Sequence, residues 1–131
     1  MSVRQLIFIL ATSIFPVVGF AQRDTIGLAS FYAKKFEGRK TSSGEIFHHD
    51  SLTAAHKTWP FGTFVRITNL HNDSSVVVRI NDRLPKSSKR SIDLTRRAAQ
   101  QLNFVRRGVT KVRLEIIQSQ NKKGDKGIHL E

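Results

Sequence analysis

No cysteine occurs in the 131 residues. That excludes a disulfide framework and a lipid-modified cysteine, so the folded state must be held by its apolar core. Acidic residues are scarce: 10 Asp and Glu stand against 22 Lys and Arg, a formal net charge of +12. Such a balance attracts polyanions, although charge spread along the whole chain also fits a merely solvated surface. Long apolar runs are missing after the first twenty residues, and Leu6–Phe20 is itself shorter than the roughly 20 residues needed to cross a bilayer and is broken by Pro16. There is no internal repeat. The length leaves room for one compact domain.

The first residues read as an export signal. Met1 to Arg4 carries one positive charge, Leu6–Phe20 is apolar, and Gly19 and Ala21 put small residues where a signal peptidase reads. The expected organisation is a signal peptide over 1–21, a short linker over 22–25, one domain over 26–117 and a basic, disordered tail over 118–131. The expected location is the periplasm or the extracellular side of the envelope, without a lipid anchor. Export turns the charge argument away from nucleic acid and toward envelope polymers. No stable membrane insertion is expected once the signal is removed.

Periodicity sketches the domain. Ile26–Ala33 reads as a first strand and Lys34–Gly44 as a polar loop. Ser51–His56 is ambiguous by period. Thr63–Asn69 and Ser75–Asp82 read as a hairpin, with Val76, Val78, Ile80 and Asp82 on one face and Val77, Arg79 and Asn81 on the other. Asp82 is therefore expected at a strand end, on the side of the core residues. Ile92–Leu94 is a short strand, and Thr95 caps a helix running to about Leu102, where Asn103 tolerates a left-handed stop. Thr110–Ile117 alternates as a half-buried strand. Short strands, one or two short helices and polar loops describe a mostly β fold, a small closed or nearly closed barrel.

Six stretches in order resemble one family. They are Gly27-Leu28-Ala29-Ser30-Phe31-Tyr32, Thr41-Ser42-Ser43-Gly44-Glu45, Leu52-Thr53-Ala54-Ala55-His56-Lys57-Thr58 with Pro60-Phe61-Gly62-Thr63, Val65-Arg66-Ile67-Thr68-Asn69-Leu70, Val76 to Arg83, and Ile92-Asp93-Leu94-Thr95. From Gly27 to Ile117 the chain resembles rare lipoprotein A domains. The resemblance implies a six-stranded double-psi β-barrel. It also implies a lytic transglycosylase that cleaves the bond between N-acetylmuramic acid and N-acetylglucosamine in peptide-stripped glycan strands, leaving 1,6-anhydro ends. No cofactor and no metal are implied. Peptidoglycan is the implied partner, division or remodelling machinery a possible recruiter, and a monomer is sufficient.

The chemistry asks for one carboxyl group that is first an acid and then a base, with a raised pKa. The resemblance puts Asp82 in that role. On the residues alone, Asn81-Asp82 is more commonly a turn opener. Glu45 is either a solvated loop residue or a second carboxylate that binds sugar, raises the Asp82 pKa or stabilises positive charge. His56 is either a buried histidine with its polar atoms satisfied or a group that contacts substrate or orients Asp82. Tyr32, Asn81 and Arg83 are candidate substrate contacts, and the Arg83 cation beside Asp82 threatens to lower its pKa. Asp93 is expected to orient structure near the helix start. His48 and His49 beside Asp50 suggest metal ligation, but no further ligand stands at suitable spacing. Two positions depart from the family pattern: Phe31 stands where Trp is usual, and Leu84 follows Asn81-Asp82-Arg83 where glycine is usual. Rival functions are an expansin-like glycan-binding module, a nucleic-acid binder, and a barwin-like inhibitor, the last disfavoured by the missing cysteines.

Overall fold

A computed structural model describes residues 24–118; the signal-peptide segment and nearly all of the tail lie outside the described residues. Six strands close into a barrel. They are β1 (Thr25–Phe31), β2 (Thr53–His56), β3 (Phe64–Asn69), β4 (Ser75–Arg83), β5 (Ile92–Leu94) and β6 (Thr110–Gln118), with one helix, α1 (Arg96–Gln101), and a single 3-10 turn at Lys34–Phe36. Around the barrel the order is β1-β5-β2-β4-β3-β6, with β1∥β5 and β2∥β4 parallel and the other neighbours antiparallel. The first strand starts one residue before the expected domain boundary, and the last ends one residue beyond it.

The core repeats the alternation of the sequence. Val65 and Ile67 from β3, Val78 and Ile80 from β4, and Val112 and Leu114 from β6 are all at most 1 % exposed. Truncating Ile67, Ile80 or Leu114 to alanine costs about 2–5 kcal/mol. All four residues of β2 are buried, which removes the half-polar signal that periodicity reads and explains why Ser51–His56 was ambiguous. Thr95 accepts from Ala98 N and starts α1, whose Ala98 and Ala99 pack into the core with Leu102 and Phe104. Asn103 takes φ 56° just after it, as expected.

Two local features tighten the barrel. Buried Asn69 donates to Leu102 O at 2.7 Å and accepts from His71 N and Thr110 Oγ1, tying the β3–β4 turn to the helix end and to β6. At Gly27 of β1 a Cβ would stand 2.0 Å from Ser91 Oγ, so only glycine lets the loop before β5 lie against β1.

One expectation about β4 is corrected. Ala54 pairs with Ile80, but the next residue, Ala55, pairs with Asp82. Asn81 is the extra residue of a β-bulge, and the alternation resets across it. Asp82 therefore leaves the core face of Ile80 and turns into surface clefts at the barrel rim.

Candidate active site

The rim is built where β1, β2, β4 and β5 run side by side. Their register sets one row across four strands: Ser30 opposite Asp93, Asp93 opposite Ala55, and Ala55 opposite Asp82. At the usual strand spacing the backbones of Asp82 and Asp93 stand about 9–10 Å apart. The residue between them, Ala55, has the smallest side chain that still keeps strand geometry. Asp82 and Asp93 both line one cleft of about 490 Å³, together with Ser30, Tyr32, Leu84 and Arg90. On its other side Asp82 lines a tighter cleft of about 180 Å³ with Tyr32, Phe36, Arg39, Lys40 and Phe47.

Asp82 is half-buried and held by three donors. Tyr32 Oη donates to Oδ2 at 2.5 Å, and the backbone N–H groups of Ser42 and Arg83 donate to Oδ1, each at 2.9 Å. Burial pushes its pKa up, but the bonds from Tyr32, Ser42 and Arg83 together outweigh burial and hold it below the ordinary aspartate value. The expectation of a raised pKa is thus corrected for the ligand-free protein. The expected threat from Arg83 takes another form. Its guanidinium donates to Trp59 O at 2.7 Å and lies 4.1 Å from the Phe61 ring centre, so it is the Arg83 backbone that acts on Asp82. Tyr32 is itself pushed far above the normal phenol range by burial and by its bond to Asp82, which keeps it a proton donor. Its ring rests on Phe47 at 4.3 Å between centroids.

Glu45 sits on the other side of the bulge. The turn at Thr41–Gly44 closes with Gly44 N donating to Thr41 O, and Gly44 has φ 91°, a conformation that only glycine takes freely. Glu45 then receives both guanidinium nitrogens of Arg79, at 2.6 and 2.8 Å, and Asn81 Nδ2 at 3.1 Å. The Arg79 bond lowers its pKa against the opposing pull of partial burial, and Asn81 adds to the lowering. Glu45 is an anion with a partner. The charges that set the Asp82 pKa do not include it, contrary to the expectation that it raises that pKa. Asn81, a candidate substrate contact, is only 3 % exposed and spends its side-chain amide on Glu45.

His56 ends β2 with its ring stacked on Trp59, 3.9 Å between centroids. Its Nδ1 accepts from Thr58 N and Trp59 N, which puts the ring proton on Nε2. Burial first, and the Arg83 and Lys57 charges second, lower its pKa to about 4. The ring is buried with Nδ1 satisfied, and the bonds that reach Asp82 come from Tyr32, Ser42 and Arg83, with His56 not among their sources. His48 pairs with Glu37 at 2.9 Å, and the same carboxylate accepts from His49 N. Leu84 is buried with no left-handed backbone, so leucine fits where the family has glycine. Phe31 packs edge-on against Phe104, toward the core.

Asp93 is the residue that sequence reasoning undervalued. Ser30 Oγ donates to Oδ1, and Arg90 binds both oxygens, at 2.7 and 3.0 Å. Asp93 orients not the helix start, which Thr95 caps, but the junction of β1 with the loop before β5. It also presents a fixed carboxylate to the cleft of Asp82. The signal in the sequence was the apolar-polar-apolar run Ile92-Asp93-Leu94, which puts Asp93 on the opposite face from its two neighbours; its pairing opposite Ala55 is seen only in the sheet.

Comparisons with known proteins agree with this architecture. Residues 24–114 match the family model described as "Lytic transglycolase". The chain is 50 % identical over 91 residues to the "Endolytic peptidoglycan transglycosylase RlpA" of Haemophilus influenzae, covering 70 % of this chain and 32 % of that one. It is 45 % identical over 103 residues to the protein of the same name from Campylobacter jejuni, covering 79 % and 38 %. The chain thus spans about a third of the length of these relatives. Among solved structures, a Streptomyces papain inhibitor superposes with a TM-score of 0.60 at 19 % identity, covering 73 % of this chain and 96 % of that one. A Clavibacter michiganensis expansin superposes with the same TM-score at 18 % identity, covering 77 % and 52 %. The closed six-stranded barrel, the order of its motifs and the matched span place this chain in the lytic transglycolase family of double-psi β-barrels.

Proposed function

We propose that the protein is an endolytic peptidoglycan transglycosylase that cuts between N-acetylmuramic acid and N-acetylglucosamine, acting on peptide-stripped strands. The observation that carries the reading is the position of Asp82: it stands between two clefts, and every group that bonds it is neutral. Its protonation state changes without breaking an ion pair. Substrate in the clefts covers the half-exposed carboxyl and strengthens burial, already the largest influence on its pKa, so the bound state favours the protonated acid.

Protonated Asp82 gives its proton to the glycosidic oxygen as the bond to the muramoyl anomeric carbon breaks. Positive charge grows on that carbon and its ring oxygen. Asp93, bonded by Arg90 and Ser30, faces this charge across the gap that Ala55 leaves. The muramoyl 6-hydroxyl then bonds to the anomeric carbon and gives its proton to Asp82, which restores the acid. No water is consumed. Tyr32 positions Asp82, His56 holds the turn that carries Trp59 and Arg83, and Glu45 with Arg79 and Asn81 supplies polar contacts in the neighbouring cleft of about 500 Å³. The reading places the protein at the cell envelope after removal of residues 1–21, working as a monomer on peptidoglycan and open to recruitment by division machinery.

The second reading is an expansin-like module that binds wall glycan without cutting it. The lowered resting pKa of Asp82 favours it, since an ionised carboxylate accepts sugar hydroxyls. Mass spectrometry of the products released from peptide-stripped strands separates the two. Fragments with 1,6-anhydromuramoyl ends support transglycosylation. Water-added reducing ends point to a hydrolase, and strand binding with no release points to the module.

A further inference from the structure

The tighter cleft beside Asp82 is left without a task by the proton chemistry. Its floor is aromatic: Phe36 and Phe47 both pack on Tyr32, with centroids 5.7 and 4.3 Å away. Its wall is cationic, formed by Arg39 and Lys40. Arg39 lies 5.0 Å from the Phe36 ring centre, and Lys35 Nζ approaches the same ring at 5.6 Å. Among the described residues no carboxylate is ion-paired to Arg39 or Lys40. The two acids of this loop are committed elsewhere, Glu37 to His48 and His49 N and Glu45 to Arg79 and Asn81.

The loop is also built to hold that shape. Gly38 N bonds Phe47 O, Phe47 N bonds Arg39 O, Thr41 N bonds Glu45 O, and Lys40 bridges Ile46. The two cations are thus carried on a small paired ladder that is fixed to the strand bearing Asp82 through Ser42 and Ser43. An aromatic floor, two cations against the single Asp82 carboxylate and about 180 Å³ fit a small anion with an apolar body.

We propose that this pocket is a carboxylate subsite that takes the free lactyl group of the muramoyl residue cut at Asp82. The inference rests on the transglycosylase reading. In a peptidoglycan glycan strand the lactyl acid is the charged substituent of the sugar backbone. It is borne on the same pyranose ring as the anomeric carbon, so a ring positioned for Asp82 carries its lactyl group toward an adjacent pocket. The lactyl methyl meets the rings and the carboxylate meets Arg39 and Lys40. Once a stem peptide is attached the carboxylate becomes an amide: the charge is gone, and the peptide exceeds the pocket. Selection for stripped strands then follows from charge and volume at this one place.

The test compares strands that carry free lactyl carboxylates with strands whose carboxylates are capped as methylamides. These are equal in length and nearly equal in size. Wild type is expected to cut the free strands with a kcat/KM roughly tenfold or more higher, the value of one charge-assisted hydrogen bond. In the Arg39→Gln/Lys40→Gln double variant that ratio falls toward one. A variant that slows on both strands alike, with the ratio kept, means bulk attraction and overturns the subsite. So does a wild type that cuts both equally. If wild type cuts neither strand, the transglycosylase reading has failed, and binding then decides the subsite on its own. N-acetylmuramic acid, its lactyl methylamide and inorganic phosphate are titrated against the backbone amide signals of Arg39 and Lys40. A response to the free acid alone supports the subsite. Equal responses to the acid and the methylamide, or to the acid and phosphate, overturn it.

Discussion

Asp82 and Glu45 lie on either side of the Asn81 bulge, one on β4 and the other on the loop that Asn81 bonds, yet their surroundings differ in kind. Glu45 is held by a guanidinium through two bonds, so protonating it would break an ion pair. Asp82 is held by a phenol and two backbone N–H groups, none of which carries a charge. Both pKa values are lowered, but for Asp82 the lowering is the outcome of a contest in which burial is the largest single influence. The contrast teaches a division of labour. Glu45 is an anion held by an ion pair, and on the proposed reading Asp82 is the carboxyl whose proton moves once a ligand shifts the contest.

The sharpest break of that contrast is Asp82→Asn. The amide keeps the shape and loses the transferable proton, so cleavage should fall by about 10²–10⁴-fold while strand binding and the thermal midpoint change little. Steady-state rates and a melting curve check this. Asp93→Asn comes next. On the proposed mechanism, replacing the carboxylate that faces the anomeric centre should lower kcat roughly 100-fold and leave KM nearly unchanged, because it acts mainly in the transition state. Arg79→Gln frees Glu45 and should raise its pKa toward the ordinary glutamate value. The expected rate loss is at most about tenfold, and a loss as large as that of Asp82→Asn would erase the distinction between the two carboxylates. Tyr32→Phe removes one of the bonds that lower the Asp82 pKa. The high-pH limb of the rate profile, where the acid loses its proton, should therefore move to higher pH.

The smallest effect concerns stability. His56 has its pKa lowered from 6.5 to about 4 in the folded protein. As pH falls through that interval the unfolded chain takes up a proton that the folded chain refuses, so stability is full above 6.5 and declines toward 4. The thermal midpoint should drop over this range, and His56→Gln should flatten the upper part of the decline, above the range in which carboxylates titrate.

Much of the barrel was legible because β3, β4 and β6 alternate cleanly and Thr95 announces α1. The strand β2 was harder: every residue of it is buried, so it leaves no periodic trace, whereas the short run Ile92–Leu94 was read as the strand that β5 is. The resemblance supplied the closure and the parallel pairs, which periodicity does not encode. At the site, Asp82 and Glu45 were nameable from motif order, but their partners were not. A bulge depends on register with a neighbouring strand, and Asn81 looks like any other residue of an alternating run. The same holds for Asp93, whose place opposite Ala55 and beside Asp82 exists only in the folded sheet. Arg83 was read as a charge next to Asp82 because they adjoin in sequence, whereas the side chain turns to Trp59 O.

The most direct test of the division between the two carboxylates is a carboxyl carbon-13 titration of Asp82 and Glu45, in the free protein and in complex with a thio-linked glycan strand that resists cleavage. The account predicts that both titrate below their ordinary values in the free protein, that Asp82 rises when the strand binds, and that Glu45 stays low. An Asp82 that remains low in the complex, or a Glu45 that rises in its place, would contradict it.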